Sequence, residues 1–171
     1  ERGYVILNKL KHVANESGID LEISTDASTR ILNDPRKTKI NYATLNILTK
    51  GQTYYNEQDF VSENHEIEVL HNNKVRNTKM REIFDEYGTM GTSKWMMNQI
   101  VKDDPNITVK QMGEKVRELL KKPELSEKEG LFIEQFTEYF ASRPRILKIG
   151  RHNLRYIHNG RSLYGTYLSD I

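Results

Sequence analysis

The chain has 171 residues, of which 36% are hydrophobic and 29% charged. That length makes one domain, or one domain with an appendage, and chains near 150 residues hide roughly 70% of their unfolded surface. Lys and Arg number 26 against 24 acidic residues, a net charge of +2, so no overall field draws polyanions to the protein. Cysteine is absent, which excludes a disulfide scaffold, a thiolate metal site and a cysteine nucleophile. No apolar run nears the ~20 residues that cross a bilayer, and no signal-peptide pattern opens the chain. A protein of the cytoplasm with no membrane contact is expected.

Charge is unevenly spread. Residues 1–60 hold eight basic and eight acidic side chains, and residues 61–140 hold twelve and fifteen. Residues 141–171 hold six basic residues (Arg143, Arg145, Lys148, Arg151, Arg155, Arg161) against Asp170 alone. The tail is thus a distinct basic region on a neutral body.

Gly3 to Ser17 reads as an amphipathic helix, because Ile6, Leu7, Leu10, Val13 and Ala14 recur at three- and four-residue spacing. Lys9, Lys11, Asn15 and Glu16 fall on the other side, and Gly18 supplies the C-terminal cap. Ile19, Leu21 and Ile23 then alternate with Asp20, Glu22 and Ser24, a strand pattern. After a polar turn, Thr25 or Asp26 is placed to cap a short helix through Leu32, broken by Asn33-Asp34-Pro35. Residues 40–50 predict a helix ending near Gly51, and Gln52 to Gln58 a short aromatic helix. His65, Ile67 and Val69 alternate before Asn72-Asn73, which predicts a strand and then a turn.

From residue 74 the pattern turns helical. Val75, Met80, Ile83 and Phe84 predict a helix stopped by Gly88, and Gly88 to Ser93 is the best linker. Trp95, Met96, Met97, Ile100 and Val101 mark another helix. Thr108 heads a third with Val109, Met112, Val116, Leu119 and Leu120. Ser126-Glu127-Lys128-Glu129 is a capping box that opens a fourth, ended by Arg143-Pro144. Residues 145–149 and 153–158 read as short strands before an Asn159-Gly160 turn. The expected organisation is an α/β unit over 1–73, a helical segment over 74–142 and a basic β-rich tail over 143–171.

The run Leu45-Asn46-Ile47-Leu48-Thr49-Lys50-Gly51-Gln52-Thr53-Tyr54-Tyr55-Asn56-Glu57-Gln58-Asp59-Phe60, with the preceding helix and strand, resembles the C-terminal half of a GNAT-type N-acetyltransferase. Divergent members from large DNA viruses have a similar pattern. The shared order is loop, helix, strand, polar turn, aromatic helix and Phe-containing strand, over about residues 1–70. The resemblance implies a partial acetyltransferase-like α/β fold, acetyl-CoA as cofactor and an amine of unknown identity as acceptor. It implies a strand-rich stretch before Glu1, and a place in the host cytoplasm or a virion if the protein is viral. Arg2, Gly3 and Tyr4 match the loop whose amides hold the coenzyme pyrophosphate at a helix N-terminus, and Asn56 is a further cofactor-binding candidate. Tyr55 matches the tyrosine that protonates the departing thiolate, a general-acid role. No covalent intermediate is required, since the amine attacks the thioester directly.

Each motif also has a plainer reading. Tyr54 and Tyr55 suit simple aromatic packing, and Gly3 an ordinary chain terminus. The five histidines show no i, i+4 pair suited to zinc, so no metal is expected. Trp95-Met96-Met97 suits either a partner-binding helix, making 74–142 a protein-contact segment, or core. Arg151, Arg155 and Arg161 interleave with Tyr156, Tyr164 and Tyr167, which suits nucleic-acid contact or, more commonly, a charged edge strand. The alternative to an enzyme is an inactive structural or interaction protein on an acetyltransferase-like scaffold, as in a viral particle.

Overall fold

The computed structural model describes residues 2–87 and 94–158, with side chains described over 5–83 and 98–158. The fold is mixed α/β, with helices dominant and the strands short and antiparallel. Helix α1 (Arg2–Ser17) ends at Gly18, whose φ of 70° and N–H bond to the Ala14 carbonyl (2.8 Å) make the expected left-handed cap. Strand β1 (Glu22–Thr25) follows, then the hairpin β2 (Thr29–Ile31) and β3 (Lys39–Asn41). The short helix expected through Leu32 is therefore a hairpin strand. The Asp26 carboxylate accepts from the Ser28 N–H and hydroxyl, fastening a local turn where a helix cap was expected.

Helix α2 (Tyr42–Lys50) is capped by Asn41 and closed by Gly51, so residues 40 and 41 belong to β3. The single turn α3 (Tyr54–Glu57) and strand β4 (Phe60–Val61) come next. The predicted strand at 65–69 is instead the start of helix α4 (His65–Arg76), and Asn72-Asn73 lies inside it. His65, Asn72 and Val75 make its buried face, whereas Ile67 is 70% exposed. Turn-forming asparagine is tolerated here because the Asn72 amide pairs with the Lys148 backbone in both directions, at 2.7 and 2.8 Å. The same clamp holds residues 145–149 outside any strand, correcting that expectation too.

Helix α5 (Met80–Tyr87) is separate from α4, so the single helix expected from Val75 onward is two. Helices α6 (Lys94–Asp103), α7 (Val109–Leu120) and α8 (Glu127–Ala141) follow. Thr108 with Gln111 and Ser126 with Glu129 form capping boxes at the latter two. The linker at 88–93 and the turn at Asn159-Gly160 lie outside the described residues, as does the tail beyond 158. So do the side chains of Trp95, Met96 and Met97. Among the described residues no helix is long and apolar enough to cross a membrane.

Strand β5 (His152–Tyr156) lies between β1 and β4 and pairs antiparallel with both, aligning Ile23 with Leu154 and Phe60 with Tyr156. Two apolar clusters result. The larger joins Leu32 and Ile40 to α2, α5, α7 and α8, with Phe132, Phe136 and Phe140 at its centre. The smaller sets Leu7 and Ala14 of α1 on Phe60, Leu154 and Tyr156. Helix α1 meets the sheet along Leu7, Lys11 and Ala14, one helical row, and not along the middle of its apolar stripe. Lys11, expected to face solvent, reaches Asp59 at 3.8 Å and lies over the Tyr156 ring.

Candidate functional site

Of the sequence candidates, Tyr55 packs against the smaller cluster and Asn56 follows it on the same turn. Thr53 accepts the Asn56 N–H through its hydroxyl while the Asn56 Oδ1 accepts the Thr53 N–H, each at 3.1 Å. This reciprocal cap gives a four-residue turn its shape, which so short a helix lacks on its own. The Asn56 Nδ2 donates to the Phe60 carbonyl at 2.9 Å. Asn56 therefore spends both ends of its amide on the turn that presents Tyr55 and on the entry to β4.

Tyr55 is half-buried. Its ring meets Tyr54 edge-on, centroids 5.5 Å apart, and Phe60 edge-on at 6.3 Å. Phe60 in turn packs on Tyr156 at 5.3 Å. Such edge contacts suit the ring quadrupoles and fix the ring without enclosing it. Tyr54 and Tyr55 both pack against the cluster that contains Leu7 and Ala14 of α1. The phenol and the helix carrying Arg2, Gly3 and Tyr4 thus share one small apolar floor.

Arg2, Gly3 and Tyr4 lie within the first turn of α1, where an ordered loop ahead of the helix was expected. That turn holds no acidic residue. Asp59 precedes Phe60 at φ 69°, a left-handed backbone that glycine adopts freely and other residues rarely. Its carbonyl accepts the Ile157 N–H at 2.7 Å, and its carboxylate meets Lys11. The α3–β4 corner is thereby tied to Ile157, just past the end of β5, and to α1.

Sequence reasoning missed the structural use of Asn56 and the inward Lys11. A Thr three residues before Asn56 is a cap-like spacing that carried the first signal. The second had none, because Asp59 is 48 positions away in the chain. Among the described residues, no group of three or more His, Asp or Glu is placed to hold a metal ion. No protein family, no curated protein and no solved structure matches the chain.

Proposed function

We propose that the chain is the coenzyme-binding half of an acetyl-CoA-dependent N-acetyltransferase, with Tyr55 as general acid. The observation that carries the reading is the half-buried Tyr55 phenol on a capped turn, packed on the same cluster as α1. Support also comes from the chain order, in which α1 and β1 precede the Tyr54-Tyr55 turn and the Phe60 strand, with the β2–β3 hairpin and α2 between. The residues fit the coenzyme in part. Arg2 stands in the first turn of α1, and the first N–H groups of any helix lack intrahelical partners, a combination suited to phosphate. Asn56 is occupied and serves by shaping the turn. When bound, acetyl-CoA supplies the acetyl group that passes to an amine.

The role of this chain's residues is then to bind and to move one proton. Arg2 and the amides of Gly3 and Tyr4 attract the anionic part of the coenzyme. The Tyr55 hydroxyl gives its proton to the leaving sulfur, and the rings of Tyr54 and Phe60 hold it in place. Thermal unfolding with coenzyme A tests binding, since ligand at 100 times its dissociation constant adds about 2.7 kcal/mol. Tyr55→Phe separates chemistry from packing. It should keep the coenzyme shift and lower the acetylation rate by about 10²–10⁴. An unchanged rate removes Tyr55 from the mechanism, and an unchanged melting curve removes the coenzyme.

One observation favours the interaction-protein reading. Val5, Ile6, Leu10 and Val13 of α1 are 46–58% exposed and form an apolar stripe on the side away from the sheet. Under that reading coenzyme A leaves the melting curve alone, and Leu10→Ser weakens capture of a protein partner.

A further inference from the structure

Helix α1 buries one apolar row and leaves another bare. Leu7 and Ala14 lie on the sheet, while Ile6, Leu10 and Val13 are 58%, 46% and 49% exposed. These three recur at four- and three-residue spacing, so they form one strip beside the buried row. Ile19, just past the helix, is 53% exposed as well. Lys11, across the buried row from Leu10, reaches Asp59 at the α3–β4 corner. The strand order is β1-β5-β4, so the bare strip faces the β1 side. No strand or helix among the described residues covers it there.

The described chain comes back to this place before it ends. Strand β5 closes at Tyr156, whose hydroxyl donates to the Asn15 Oδ1 of α1 at 3.0 Å. The His158 ring then lies 3.7 Å from the Asp20 carboxylate, at the corner between α1 and β1. Residues 159–171, outside the described residues, therefore set out from the C-terminal end of the bare strip. Their sequence carries Leu163, Tyr164, Tyr167, Leu168 and Ile171, at the three- and four-residue spacing of one helix face. Asn159-Gly160 ahead of them is a turn pair.

We propose that the chain turns back at Asn159-Gly160 and that residues 161–171 dock as a helix antiparallel to α1, covering Ile6, Leu10 and Val13. Every helix rises about 1.5 Å per residue, so a segment that brings Arg161 beside Ser17 brings Asp170 beside Lys9. Lys9 is exposed and borders the strip between Ile6 and Val13 on the flank away from the sheet. In the antiparallel pair Asp170 takes that same outer flank, and the two charges complement each other. A segment this short is not a stable helix alone in water, so its apolar face and the strip of α1 need each other. The link through His158 makes the docking intramolecular, an advantage in effective concentration that a separate partner lacks.

The chain has no cysteine, so Ser169→Cys takes a single nitroxide label, on the side of the segment opposite its apolar face. Paramagnetic broadening is read at the backbone amides of the 171-residue chain by NMR, with the reduced label as reference. The Ile6, Leu10 and Val13 amides should lose most of their intensity, and those of α7, in the larger core, should keep theirs. Lys9→Glu should restore part of the α1 intensity, and Lys9→Glu with Asp170→Lys should lose it again. If Ser169→Cys does not fold, Ser162→Cys carries the label on the same outer side. Mixing nitroxide-labelled chain with isotope-labelled chain that lacks the nitroxide tests for a second copy, and no α1 broadening should arise there. Full α1 intensity in the labelled chain would overturn the docking and leave the strip to a separate partner. Broadening in the mixture, which makes a second copy the occupant, or an undiminished effect in Lys9→Glu would overturn it too.

Discussion

Thr53 and Asn56 cap each other, hydroxyl to N–H and amide oxygen to N–H, both at 3.1 Å. Because the helix between them is one turn long, this pair does what propagation does in a longer helix. Thr53→Ala should cost about 1 kcal/mol of unfolding free energy. Asn56→Ala should cost more, since it also releases the Phe60 carbonyl. Urea midpoints at neutral pH would measure both, and an Asn56→Ala cost no greater than that of Thr53→Ala would remove the Phe60 bond as a contributor.

Asp59 sits in left-handed backbone beside Phe60, where a β-branched residue fares worst. Asp59→Val should lower stability by about 1–2 kcal/mol. Asp59→Gly should lose little or gain slightly, because relief at φ 69° offsets the lost contact with Lys11. Paired thermal denaturation of the two variants gives the comparison; equal losses would show the ion pair outweighing the backbone.

The hairpin carries a source of acid sensitivity. Burial presses the Asp34 carboxyl upward, but bonds from the Thr38 hydroxyl and N–H outweigh it and leave the group below its ordinary value of 3.8. Glu129 is likewise held below 4.5, chiefly by Lys122 and then by the Ser126 N–H. A carboxyl lowered in the folded state contributes stability that is full above its unfolded value. That contribution disappears as the pH falls through the folded value. Asp34→Asn should therefore be less stable than the wild type at pH 7, and the gap should narrow below about pH 4. A gap that stays constant from pH 7 to 2.5 would count against the assignment.

The larger core turns on Phe136, fully buried and in contact with both Phe132 and Phe140. Phe136→Ala should cost about 3–5 kcal/mol, enough to unfold a domain of ordinary stability. Ile67→Ser, at an apolar residue 70% exposed on α4, should stay within about 0.5 kcal/mol. Circular dichroism melts of the two would separate core from surface.

Much of the helical skeleton was legible because its signals are local. Ser126 with Glu129 and Thr108 with Gln111 announce α8 and α7 through bonds three residues long, and Gly18 and Gly51 announce two helix ends by the backbone they permit. The short aromatic turn Tyr54–Glu57 was legible for the same reason, since Thr53 and Asn56 lie three residues apart. What failed were features that depend on distant partners. The alternation His65, Ile67, Val69 reads as a strand until Asn72 finds the Lys148 backbone, 76 positions on, and holds the segment as helix. Lys11 reads as solvent-facing until Asp59 and Tyr156 come to meet it. Local spacing determined the capped ends of α1, α2, α7 and α8, because capping acts within one turn. Only the tertiary structure decided which face each helix buries and that β5 enters between β1 and β4, because those choices rest on hydrogen bonds and apolar contacts that exist only once remote parts of the chain are together.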